Sequence, residues 1–217
     1  MIKLPPFDKN FGKEIKTIDI EGHKPTHASA LLLWYSKPTK NVKKVCELGS
    51  GTGFVSFGLE KYYKLEVLGL EILKELYDNA LKAISINKAK KLNFMHIDVK
   101  DVKKHLKAES FDMVVFNPPF HFSSTSDKII REKSRKGSLS ILQDFVVSAS
   151  FLLKNKGLFV TVISPYVLPV FMNLLTSNKL TPQQMCIAYG KKAELVLIRG
   201  RKNGGNHLEI DPPVFLY

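Results

Sequence analysis

Short apolar, β-branched runs alternate along most of the chain with longer stretches in which apolar positions recur every three or four residues. Residues 1–25 stand apart. They are polar and punctuated by Pro5, Pro6, Gly12, Gly22 and Pro25, and only Glu14–Ile20 alternates, as a short edge strand would. His27–Ser36 reads as a buried helix, with Thr26 at its cap position and His27 as the competing choice. The run from Val42 ends in Glu47 and predicts a buried strand. Phe54, Val55, Phe57, Gly58 and Leu59 then predict a helix packed back over it. Strands follow at Leu65–Leu70, Leu92–Ile97, Phe111–Phe116 and Leu158–Ser164. Between them lie a helix over Ile72–Asn87 with one apolar face, a short helix over Val102–Leu106, a loop over 118–137 and a helix over Leu139–Leu153. Pro165–Thr176 reads as a helix disturbed by Pro169, and Met185–Tyr189 and Leu195–Arg199 as the last strands.

Alternating strands and helices imply an α/β fold, a parallel sheet covered on both faces. The last two strands are too close for a helical crossover and must form an antiparallel hairpin. The expected organisation is an N-terminal extension, 1–25, and a single domain, 26–217.

Composition narrows the function. A chain of 217 residues with 44% hydrophobic positions builds a real core and is not a disordered segment. Its 33 Lys and Arg against 20 Asp and Glu leave a net charge of +13. This favours a polyanionic partner, nucleic acid before membrane, although general lysine abundance explains the excess equally well. Cys46 and Cys186 sit in apolar runs and read as buried thiols of a reducing compartment. The histidines are too scattered to complete a metal site with them. No apolar stretch has the length of a membrane span, and residues 1–10 lack the core of a secretion signal, so the expected location is cytoplasmic.

Candidate chemistry gathers at the carboxyl ends of the expected strands, where ligands of open parallel sheets bind. Glu47-Leu48-Gly49-Ser50-Gly51-Thr52-Gly53 supplies a glycine turn before a helix. Phe54 stands where a dinucleotide fingerprint needs its third glycine, and no Lys-Ser/Thr pair follows for a triphosphate. An acid at Glu47 repels pyrophosphate but suits a cationic amino acid. The second strand ends at Glu71, about twenty residues after the glycines, the distance at which an acid meets ribose hydroxyls. The third ends at Asp98, which equally suits a helix cap. The fourth ends in Asn117-Pro118-Pro119-Phe120. Two prolines constrain this turn so that the Asn117 side chain and the Pro118 carbonyl converge, and two converging acceptors suit a planar NH2 group. Phe120 offers a ring face for stacking a flat substrate.

The glycine turn resembles that of class I S-adenosylmethionine-dependent methyltransferases, and the tetrapeptide resembles the Asn/Asp-Pro-Pro-aromatic motif of enzymes that methylate planar amino groups. From about Thr26 to Tyr217 the chain resembles the bacterial tRNA(Val) adenine-N6 methyltransferases. That likeness rests on Leu31-Leu32-Leu33, the tetrapeptide, the run Lys191–Gly205 and the closing Asp211-Pro212-Pro213-Val214-Phe215-Leu216-Tyr217. It implies a Rossmann-like methyltransferase fold: a mostly parallel seven-stranded sheet with an antiparallel C-terminal hairpin and helices on both faces. It assigns S-adenosylmethionine to Thr26, Glu47, Gly49, Ser50, Gly51, Gly53, Glu71, Asp98 and Asn117, with Glu71 on the ribose and Asp98 on the adenine amino group. Catalysis falls to Asn117, Pro118 and Phe120, and RNA, tRNA first, is the implied partner. Departures are His27 where the family has an acid, Phe120 where it has tyrosine, and Arg135-Lys136-Gly137 without a following Glu. Asn117–His121 also resembles ribosomal RNA guanine-N2 methyltransferases, which keeps a second target base open. A protein glutamine methyltransferase and a non-catalytic RNA binder are weaker rivals.

The remaining candidates are contacts to RNA. Pro119, His121, Lys128, Arg131 and Arg135 lie in the expected loop 118–137, with Phe122, Lys133 and Lys136 nearby. This loop is expected to be disordered without RNA and to touch phosphates with it. Arg199, Arg201 and Lys202 offer a second basic patch.

Overall fold

The computed structural model describes residues 4–21, 23–119 and 128–217, with the backbone alone at 128–136 and 138. Helix α1 (His27–Tyr35) is followed by β1 (Lys44–Leu48), α2 (Phe54–Tyr63), β2 (Glu66–Glu71), α3 (Lys74–Asn87) and β3 (Leu92–His96). A 3-10 turn at Val99–Asp101 leads into α4 (Val102–His105) and β4 (Phe111–Phe116). Then come α5 (Lys128–Leu152), β5 (Leu153–Ile163), a 3-10 turn at Pro165–Val167, α6 (Leu168–Ser177), β6 (Leu180–Tyr189), β7 (Ala193–Lys202), β8 (Glu209–Ile210) and β9 (Val214–Phe215).

The sheet runs in the order β3-β2-β1-β4-β5-β7-β6-β8, with β9 also on β6. Along β3-β2-β1-β4-β5 each adjacent pair is parallel, and β7 inserts antiparallel between β5 and β6. This is the Rossmann-like methyltransferase arrangement, with β8 and β9 as two-residue additions beyond the seven expected strands.

Side-chain alternation along each strand builds two cores. Val45, Met113, Val115, Val160 and Val162 face α1, α2 and α3, while Cys46, Val114, Phe116, Phe159 and Ile163 face α4, α5 and α6. Leu31, Leu32 and Leu33 of α1 are fully buried, and each contributes about 1.5–3 kcal/mol by leaving water. Both cysteines are buried free thiols.

Several expectations need correction. No strand forms over Glu14–Ile20; Ile20 makes only an isolated bridge to His23. The Asn87 side-chain amide instead takes both backbone groups of Lys16, accepting from its N–H at 3.0 Å and donating to its carbonyl at 2.7 Å. The expected loop 118–137 is helix from Lys128 onward, because the run Lys128–Lys136 holds no Gly or Pro and is rich in helix formers. Pro169 starts α6 rather than disturbing it, since a proline in the first turn costs no hydrogen bond. His27 stands exposed at the start of α1 while Thr26 caps it.

Arg199, Arg201 and Lys202 form no basic patch. Arg199 is 3% exposed and donates to the carbonyls of Tyr35 and Lys37. Lys202 is buried against Glu109 and the Leu153 carbonyl, and Arg201 donates to the Lys156 carbonyl. The alternation of β7 turns Arg199 inward, where it meets the Tyr35 carbonyl at the end of α1 and the Lys37 carbonyl just beyond it.

Candidate active site

The turn after β1 is built by conformations that side chains avoid. Gly49, Gly51 and Gly53 hold φ of 70°, 54° and 82°. Close packing adds to this at two of them. A Cβ at Gly49 would lie 3.2 Å from the Phe145 ring of α5, and one at Gly53 would lie 2.8 Å from Phe94 and 2.9 Å from Phe57. At Gly51 nothing stands within 4 Å of that place, so the bare backbone faces open space. Two hydrogen bonds fix the turn: the Ser50 N–H donates to the Leu70 carbonyl, and the Gly53 N–H to the Ser50 carbonyl, each at 2.8 Å.

A cleft of about 400 Å³ opens beside this turn. Glu47, Gly49, Ser50 and Gly51 form one side and Asn117, Pro118 and Pro119 another, with Thr26 and Ser29 from the start of α1. The register explains the meeting, since β1 and β4 are parallel neighbours with Leu48 opposite Phe116. Their carboxyl ends therefore deliver Gly49 and Asn117 side by side. Asn117 is half-buried, Pro118 buried and Pro119 exposed.

Glu47 is 4% exposed and accepts a short hydrogen bond from the Ser56 hydroxyl of α2. Burial pushes its carboxyl up to about 8; the Ser56 hydrogen bond opposes this and the Glu71 charge adds to it. The Ser50 hydroxyl is buried with no partner among the described residues. Glu71, 5% exposed, accepts from the Gly51 N–H at 2.7 Å and the Leu73 N–H at 2.8 Å.

Asp98 stands further out. It caps the 3-10 turn through the Lys100 N–H at 3.1 Å and pairs with the Lys100 ammonium at 2.8 Å. It remains tied to the site's rim, because the preceding Ile97 N–H donates to the Glu71 carbonyl at 2.9 Å. Glu71 and Asp98 do not line the cleft itself.

Phe120, His121 and Phe122 lie outside the described residues. Lys128, Arg131, Lys133, Arg135 and Lys136 belong to α5, and their side chains lie outside the description. The sequence reading missed Ser29, Phe54 and Val55 on the cleft wall and Ser56 behind Glu47. The available signal for Ser56 was a lone hydroxyl in the apolar run Phe54–Leu59.

Residues 23–169 match the methyltransferase small domain family model. The ribosomal RNA small subunit methyltransferase C of Buchnera aphidicola is 28% identical over 102 residues, which cover 47% of this chain and 29% of that protein. The aligned stretch is thus less than a third of that relative's length. Among solved structures, Atu636 of Agrobacterium tumefaciens, described as a predicted O-methyltransferase, superposes with a TM-score of 0.70 at 18% identity, over 86% of each chain. A methyltransferase from Pyrococcus furiosus gives 0.68 at 13% identity, covering 87% of this chain and 89% of that one. TrmN from Thermus thermophilus gives 0.62 at 14% identity, covering 80% of this chain and 48% of that one. At these identities the three share the fold.

Proposed function

The chain belongs to the methyltransferase small domain family, and from that premise we propose that it transfers a methyl group from S-adenosylmethionine to an exocyclic amino group of RNA, with adenine N6 of tRNA beside the anticodon as its target. The observation that carries this reading is the shared cleft: Asn117 and Pro118 line it together with Glu47 and the glycine turn.

The residues present fit the cofactor. The cleft wall holds a buried acid, an unpartnered Ser50 hydroxyl and a glycine backbone with free space over it. Glu47 would meet the cationic amino group, helped by Thr26 and Ser50, while Gly51 leaves room for close approach and Gly49 and Gly53 hold the shape of the turn. Glu71 would meet the ribose; each of its oxygens keeps a lone pair beyond the backbone bond it already accepts. Asp98 would accept from the adenine amino group. Bound there, the cofactor supplies a methyl group activated by its sulfonium.

Asn117 and Pro118 act on the substrate. An amine conjugated to a ring is a poor nucleophile because its lone pair is delocalised. The Asn117 side-chain oxygen and the Pro118 carbonyl accept its two N–H bonds, draw the nitrogen out of plane and aim the lone pair. Positioning of this kind replaces a strong base at the attack; the N–C bond would form as the S–C bond breaks, and the proton that the methylated nitrogen must then shed would pass to water. The base-stacking role is proposed for Phe120, contact with the base for Pro119 and His121, and contact with phosphates for Lys128, Arg131 and Arg135.

The relative named as a ribosomal RNA methyltransferase favours a second reading, guanine N2 of ribosomal RNA. Comparing nucleosides of tRNA and rRNA from cells with and without the protein separates the two. Loss of N6-methyladenosine from tRNA supports the first reading; loss of N2-methylguanosine from rRNA supports the second. Unchanged nucleosides in both RNAs would reject both.

A further inference from the structure

A larger groove, about 890 Å³, opens at the opposite end of the sheet, at the amino ends of the strands. Its walls carry six lysines, Lys43, Lys44, Lys64, Lys90, Lys91 and Lys107, and a single acid, Glu66. Lys44 pairs with Glu66 at 3.3 Å. The other five form no ion pair among the described residues, and all five are exposed. Lys64 ends α2 and so complements that helix's dipole, but this accounts for one lysine of the five.

The placement is ordered. Lys90 and Lys91 precede β3, Lys64 precedes β2, Lys43 and Lys44 open β1, and Lys107 precedes β4. These four strands are consecutive in the sheet. At about 4.8 Å per strand, the row of ammonium groups crosses about 14 Å. A line of cations along a concave surface matches a chain of phosphates better than one small anion or a flat membrane. The floor is apolar, with Leu65, Leu92 and Phe111 buried beneath the lysines.

We propose that this groove binds the phosphodiester backbone of RNA, as a second contact on the face opposite the cleft. The proposal rests on the reading that the substrate is RNA. It places part of a folded RNA beside β1 to β4 while another part presents the target base at Asn117.

The test replaces Lys64, Lys90, Lys91 and Lys107 together by glutamine and follows binding of a structured tRNA by fluorescence anisotropy across a potassium chloride series. Each lost phosphate contact removes about 0.7–0.9 from the slope of log affinity against log salt. The slope should fall by about 3 and the low-salt affinity by at least about 10-fold. Cofactor affinity and the melting temperature should stay as in the wild type. Unchanged affinity and slope overturn the groove. So does wild-type protein with no measurable affinity for RNA. Loss of binding to phosphatidylserine vesicles with RNA binding intact assigns the groove to a membrane and also overturns it. A wild type that loses RNA affinity through these changes, yet methylates no RNA, leaves the groove standing and rejects the catalytic reading.

Discussion

The Glu71 carboxylate holds the Gly51 N–H at 2.7 Å, so the end of β2 fastens the turn that leaves β1. The same carboxylate holds the Leu73 N–H at the entry to α3. Glu71→Ala strips both donors of their acceptor and should cost about 1–3 kcal/mol. It should also lower cofactor affinity at least about 10-fold, because the turn loses its shape along with the proposed ribose contact. Glu71→Gln keeps one oxygen and should fall between. Calorimetric titration with S-adenosylmethionine checks this; wild-type affinity in Glu71→Ala would remove Glu71 from the site.

Glu47 makes the free protein sensitive to pH. Its folded carboxyl is raised from 4.5 to about 8, so between these values the unfolded chain gives up a proton that the fold retains. The stability this contributes is complete below pH 4.5 and is lost as pH rises to about 8. Glu47→Gln should flatten that part of the stability curve in thermal melts. A cationic amino group beside Glu47 favours the charged form, so binding should release up to about one proton at neutral pH. Titrations in two buffers of different ionisation enthalpy measure that number; zero release would mean that the amine does not meet this acid.

Two glycines of the same turn should fail in different ways. Gly53→Ala combines a left-handed φ with contacts at 2.8 and 2.9 Å to two rings, and should cost about 2–4 kcal/mol of stability. Gly51→Ala meets no atom within 4 Å and should cost about 1–2 kcal/mol through φ alone. Its added methyl group enters the space beside the cleft, so cofactor binding should suffer most. Melting temperatures and cofactor affinities of the two variants, read together, separate these effects.

Asn117→Ala should reduce methyl transfer about 10²–10³-fold, the usual cost of deleting one aligned polar group in a transition state, and should weaken cofactor binding far less. Equal turnover in the variant would eliminate this side chain from the chemistry.

Arg199 should behave as a structural residue. Arg199→Ala removes the guanidinium that donates to the Tyr35 and Lys37 carbonyls and should cost about 2–5 kcal/mol, while the salt dependence of RNA binding stays as it was. Arg201→Ala, at an exposed hydrogen bond, should change stability by less than about 1 kcal/mol.

The parallel strands and the polar residues at their ends were legible in the sequence because apolar runs and polar strand ends are local signals. Glu47, Glu71 and Asn117 could be placed at strand ends from their positions alone. What escaped was long-range. No pattern in the N-terminal segment announces that Asn87 will occupy the pairing groups of Lys16. Arg199 looked like an RNA contact because its sign was readable and its burial under Tyr35 was not. The groove lysines are scattered between Lys43 and Lys107, and only the sheet order makes them neighbours. Asp98 carries two readings still, since a capping carboxylate and a ligand contact draw on the same two oxygens.

Strand β6 would otherwise present an open row of backbone groups along its outer side. Residues 209–215 cover it in two pieces, β8 against Gln184 and Met185 and β9 against Ala188 and Tyr189, with Pro212 and Pro213 between. The Cys186 thiol lies against the Pro212 carbonyl in that gap. A foreign strand approaching here meets no uninterrupted ladder to extend, and the prolines have no N–H to offer it. This margin of the molecule is thereby guarded against edge-to-edge self-association.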